Sequence, residues 1–113
     1  MAMRVLVLTA DGACAVKWLR SSQFGAELGG WLELAPHAQD QALTAYVNEE
    51  GERERLPCSA WSDFMRQQGF LVGARGLLGT LVLCSCSPEG EDGNVPHALV
   101  RAAESYCVNK CFI

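Results

Sequence analysis

An α+β fold is what this sequence predicts: a single domain over residues 1–113, with a mainly antiparallel sheet of about five strands and two or three short helices packed on it. Three observations point there. Two short apolar runs, Trp31 to Ala35 and Leu43 to Val47, are bounded by turn residues and enriched in aromatic and β-branched side chains, as adjacent strands are. A Val/Leu run from Arg4 to Thr9 is followed at once by Asp11-Gly12. Further on, Trp61, Phe64 and Met65, and then Leu99, Val100, Ala103, Tyr106 and Cys107, recur at helical spacing. A chain of this length buries roughly two thirds of its unfolded surface, enough for one core.

Taken in order, Arg4 to Thr9 is nearly all Val and Leu, which suits a central strand buried on both faces. Asp11-Gly12 predicts a type I′ hairpin turn, with positive φ at both central positions. In the strand that follows, Cys14, Val16 and Trp18 share one face and Ala15, Lys17 and Leu19 the other. Ser21 or Ser22 caps a short helix through Glu27, in which Phe24 and Leu28 form an apolar stripe. Gly29-Gly30 ends that helix by permitting φ > 0 and turns the chain into the first of the two paired runs. Asn48 to Gly51 closes the second.

Glu52 to Arg55 is charged and has no apolar face. Pro57 biases Leu56 to extended geometry, and Ser59 is the expected N-cap of a helix over 59–68 that Gly69 terminates, with Trp61 in the core. Leu77 to Cys86, interrupted by Gly79, reads as another inner strand, and Pro88 to Asn94 as a polar loop. Pro96 fits the first position of a C-terminal helix running to Cys107.

Net charge and hydropathy limit the function classes. A formal charge of −4 argues against nucleic acid as a partner, because that affinity depends on clustered Lys and Arg displacing counterions. No apolar run approaches the ~20 residues that cross a bilayer, and the start Met1-Ala2-Met3-Arg4 with Val5 to Leu8 is too short for a secretory signal, so the expectation is a cytoplasmic protein with no membrane partner. Six cysteines are many for such a protein, and reducing conditions favour free thiols.

Three groups of residues invite a chemical reading. Cys84-x-Cys86 on a strand and Cys107-x3-Cys111 on a helix each point two thiols one way, so these four residues are the candidate metal site, a tetrahedral zinc at ~2.3 Å per bond. Cys-x-Cys is not the usual zinc knuckle, and buried free cysteines are common small hydrophobes, so the expectation is no metal and no cofactor. Cys58, beside Pro57 at a helix start, is the candidate nucleophile of a thiol-dependent enzyme, with His37 or His97 as base, but no signature surrounds either histidine. The acidic residues gather in Glu49, Glu50, Glu52 and Glu54 and again in Glu89, Glu91 and Asp92. Adjacent carboxylates in a turn are solvated and lack the apolar surroundings that acid–base catalysis needs. Val72 to Gly79 lacks the Lys-Ser/Thr end of a phosphate loop.

Several pieces taken together resemble a family of small uncharacterised domains found in phages, plasmids and actinobacteria: the early Val-Leu strand with its Asp-Gly turn, Gly29-Gly30-Trp31, Tyr46 to Gly51, Leu56-Pro57 and Val72-Gly73. The resemblance covers about residues 3 to 93 and is most specific at Asn48-Glu49-Glu50-Gly51 followed by Leu56-Pro57. This chain has Ser59 where the family pattern has Asn, and the C-terminal helix lies outside the pattern. The resemblance implies a mobile-element accessory protein and no particular chemistry. The functional expectation is therefore a non-enzymatic interaction protein that meets the basic surface of a host protein through Glu49, Glu50, Glu52, Glu89, Glu91 and Asp92, with a dimer through an exposed edge strand also open.

Overall fold

The first Val/Leu run builds an inner strand of the sheet, because a strand with no polar face has to be covered on both sides. In the computed structural model, which describes residues 1–35, 37 and 42–111, the last four by backbone alone, β1 (Met3–Leu8) lies between β2 (Cys14–Leu19) and β5 (Leu81–Cys86). Beyond β5 come β4 (Leu43–Asn48) and the edge strand β3 (Leu32–Ala35), giving the order β2-β1-β5-β4-β3. A two-residue β6 (Asp92–Gly93) pairs with Ser85 and Cys86, and every pairing is antiparallel.

Two layers of side chains cover this sheet, one on each face. Leu6, Leu8, Leu81 and Leu83 point toward α2 (Ser62–Gln67) and α3 (His97–Cys111), where Trp61, Phe64, Met65, Leu99 and Ala103 complete the larger core. Val5, Val7, Val82 and Cys84 point the other way, onto Phe24 and Leu28 of the five-residue α1 (Phe24–Leu28). Val5 to Leu8 are accordingly all buried. The α+β fold and the pairing of the two short apolar runs are as the sequence predicts, with Leu32↔Asn48 and Ala35↔Ala45 fixing the register. Gly29 ends α1 at φ +79, donating its N–H to the Gly25 carbonyl.

Five local expectations are corrected. The Asp11-Gly12 turn is not type I′, since Gly12 takes φ +103 while Asp11 does not have positive φ. Gly12 N–H donates to the Thr9 carbonyl at 3.0 Å, and the Asp11 carboxylate accepts from the Thr9 hydroxyl and, at 3.3 Å, from Ala13 N–H. Those bonds favour a three-residue loop with glycine in the left-handed position.

The last long strand begins at Leu81 rather than Leu77, because Gly79 at φ +78 breaks the pleat and Leu77 to Gly79 bond instead to Pro57 and Ser59. Ser59 is not the N-cap: its hydroxyl accepts the Trp61 N–H at 3.1 Å in the turn before the helix, which starts at Ser62 with Trp61 in the cap position, and the C-terminal helix runs on to Cys111. Before α1 the chain takes a 3-10 turn over Ser21–Gln23, tied by the Arg20 N–H to Gln23 Oε1 at 2.8 Å rather than by a serine cap.

Candidate functional site: an acidic groove beside the edge strand

The geometry of the loop from Asn48 to Pro57 is anchored by one buried side chain. Asn48 is 4% exposed at the end of β4. Its amide donates to the Leu28 carbonyl at 3.1 Å and accepts from Glu50 N–H at 2.8 Å, so α1, β4 and the turn are joined at one point. Gly30 lies so close that a Cβ there would sit 3.0 Å from Asn48 Nδ2, which explains the second glycine of the Gly-Gly pair. Gly51 fits under Leu78 in the same way, Leu56 N–H returns to the Gly51 carbonyl at 2.9 Å, and Leu56 packs against Gly79. Asn-Glu-Glu-Gly and Leu-Pro are thus parts of one folded unit.

This unit forms the wall of a groove of about 430 Å³. Glu33 from β3, Glu49 and Glu52 stand on its lining, with Val47, Leu77 and Leu78 as the apolar part. Glu33 and Val47 face each other across the β3–β4 pair, so the edge strand supplies one carboxylate by simple alternation. Trp31, whose carbonyl accepts Glu49 N–H at 2.8 Å, is 77% exposed just before that strand. Sequence reasoning missed Glu33 and the exposure of Trp31. The alternation Leu32-Glu33-Leu34 was the available signal.

The six expected contact carboxylates do not form one surface. Since β4 and β5 are antiparallel, with Leu43 opposite Ser85 and Tyr46 opposite Val82, the segment after β4 and the segment after β5 leave the sheet at opposite ends. Glu49, Glu50 and Glu52 therefore lie at one end and Glu89, Glu91 and Asp92 at the other. Glu50 pairs with Arg53 at 2.9 Å and Glu52 with Arg75 at 3.0 Å, both on the surface.

Asp92 is no loop residue at all. It sits in β6, and both its oxygens accept from the Tyr46 hydroxyl, at 2.9 and 2.8 Å. Burial, and then the bond to Asp92 and its charge, raise the Tyr46 pKa. Burial, with Asp92 second, pushes the neighbouring Cys84 thiol up to about 12.

The cysteines separate in a similar way. Cys84 and Cys86 occupy the α1 face of β5, whereas Cys107 packs on the opposite face against the larger core, and the Cys111 side chain lies outside the described residues. With the sheet between them, Cys84 and Cys86 do not converge with Cys107, which corrects the zinc alternative. Among the described residues no group of three His, Cys, Asp or Glu is placed to hold a metal ion.

Cys58 is exposed, with the Ser62 hydroxyl at 3.7 Å and the Ser59 carbonyl at 3.8 Å. His37 bonds the Gln68 carbonyl at 2.7 Å and packs on Phe70, and His97 opens α3. Among the described residues no helix is long and apolar enough to cross a membrane. No protein-family model matches the chain, and neither does any curated protein or any solved structure.

Proposed function

We propose that this is a non-enzymatic interaction protein of a phage or other mobile element, acting in the cytoplasm and binding a basic segment of a host protein along the groove beside β3. One observation carries the reading: Glu33, Glu49 and Glu52 border a groove that also contains Val47, Leu77 and Leu78. Lysine and arginine have that same division, an aliphatic stem and a charged head, so the stem lies on the apolar lining while the head meets a carboxylate. Glu52 is already paired with Arg75, but that pair is largely exposed and exchanges for a ligand cation at little cost. Exposed Trp31, tied through its carbonyl to the Glu49 N–H, adds an aromatic face on which a guanidinium can stack.

Capture from host lysate identifies the partner, and a titration with an Arg/Lys-rich peptide from its contact region tests the site. The expected result is saturable binding that the double variant Glu49→Lys, Glu52→Lys weakens at least tenfold while melting at the wild-type temperature. Unchanged affinity in that variant would rule the groove out as the contact surface.

A further inference from the structure

We propose that Cys14 and Cys107 form an oxidisable thiol pair, a site at which a low-molecular-weight disulfide converts the two free thiols into a bond between β2 and α3. The pair is made by tertiary packing. Cys14 starts β2 directly after the hairpin turn, and α3 crosses that end of the sheet so that the Cys107 thiol lies 3.8 Å from the Gly12 carbonyl, two residues before Cys14. Both thiols are half-buried and pack against the larger core, and the Cys107 thiol lies near enough to Cys14 to help raise its pKa.

Neighbouring bonds hold the two elements in place. Trp61 donates its indole N–H to the Ala13 carbonyl at 3.2 Å, Ala60 N–H donates to the Ala10 carbonyl at 2.9 Å, and the Tyr106 ring, next to Cys107, packs on Trp61 and Phe64 at 5.3 Å between centroids. A bond between the thiols thus joins segments that already touch.

The chemistry balances without a cofactor. One thiol loses its proton, its thiolate attacks the small disulfide, and one small thiol leaves with the proton equivalent. The second protein thiol, as its thiolate, then displaces the other small thiol, so two S–H bonds are exchanged for one protein S–S bond and the oxidant is reduced by two electrons. Burial, and secondarily the charge of Cys107, raise the Cys14 pKa, so the reaction is slow at neutral pH and quickens as pH rises. Glu104, on the same helix, acts on Cys14 in the same direction.

The test is to treat the full chain with oxidised glutathione and map its disulfides by non-reducing proteolysis and mass spectrometry. The expected product is a linked pair of peptides carrying Cys14 and Cys107, formed faster at higher pH, with a raised melting temperature that returns to the starting value on reduction. Cys14→Ser should abolish both the link and the shift, and Cys107→Ser, made separately, guards against a folding defect in the first variant. Cys111, one helical turn beyond Cys107, is the main competitor. A Cys107–Cys111 link, or glutathione adducts with no internal bond, overturns the proposal. An independent arm uses phenylarsine oxide, which bridges two adjacent thiols: one arsenical on Cys14 and Cys107 together supports the pair, and its absence from them contradicts it.

Discussion

Trp61 shows what one side chain contributes when three elements converge on it. It is 1% exposed, stacks edge-on against Phe64, meets Tyr106 of α3 and reaches the hairpin turn through its indole N–H. Trp61→Ala should lower unfolding free energy by ~3–5 kcal/mol in a denaturant titration, since the cavity lies between two helices and the sheet and cannot collapse. Asn48 is the polar counterpart. Asn48→Ala leaves the Leu28 carbonyl and Glu50 N–H without their partner, for an expected cost of about 2–3 kcal/mol from two unsatisfied groups. A value under about 0.5 kcal/mol for Asn48→Ala would mean that water replaces the amide and that the turn does not depend on it.

At the scale of elements, the β4–β5–β6 corner makes a pH prediction. The Tyr46 and Cys84 pKa values are both raised in the fold, so the native state holds their protons more tightly than the unfolded chain does. For groups shifted in that direction the stabilisation is complete below the unfolded values and is lost as pH rises toward the folded ones. Stability should therefore hold from neutral pH to about 9 and decline toward 12, the value for Cys84. Cys84→Ala removes one of the two titrations and should flatten that decline in a series of thermal melts across the alkaline range. An alkaline limb identical to wild type would show that Cys84 does not contribute to it. The same corner shows why the sequence predicts a loop at β6: two residues carry no periodicity, and Asp92 belongs to the sheet through Tyr46, which lies far from it in sequence.

At the scale of the whole molecule, the acidic loops lie at opposite ends of the sheet, and this makes the proposed contact testable by kinetics. Opposed charges chiefly raise association rate and are screened by salt. With the partner in hand, association should slow as ionic strength rises, and reversing Glu49 and Glu52 to Lys should slow it further. Reversing Glu89 and Glu91 to Lys should change the rate much less, since that loop lies away from the groove. Equal slowing by the two double variants would show that net charge, rather than the groove, governs encounter.

Local rules made much of this fold legible in sequence. The unbroken Val/Leu run identified a strand covered on both faces, turn residues bounded β3 and β4, Gly29 marked the end of α1, and helical spacing placed Trp61 in the core. Each depends on residues within a few positions of one another, where propensity, capping and periodicity operate. The site was legible only in part. Its loop stood out as Asn48 to Pro57, but nothing local says that Glu33 comes to face Val47, that Glu49 and Glu91 part to opposite ends, or that Cys107 reaches the turn before Cys14. Those relations depend on strand order and on which face a helix covers. Both are decided by the packing of the whole core, because burial is non-directional and roughly proportional to area, so that it rewards covering an apolar face without specifying from afar which element will cover it.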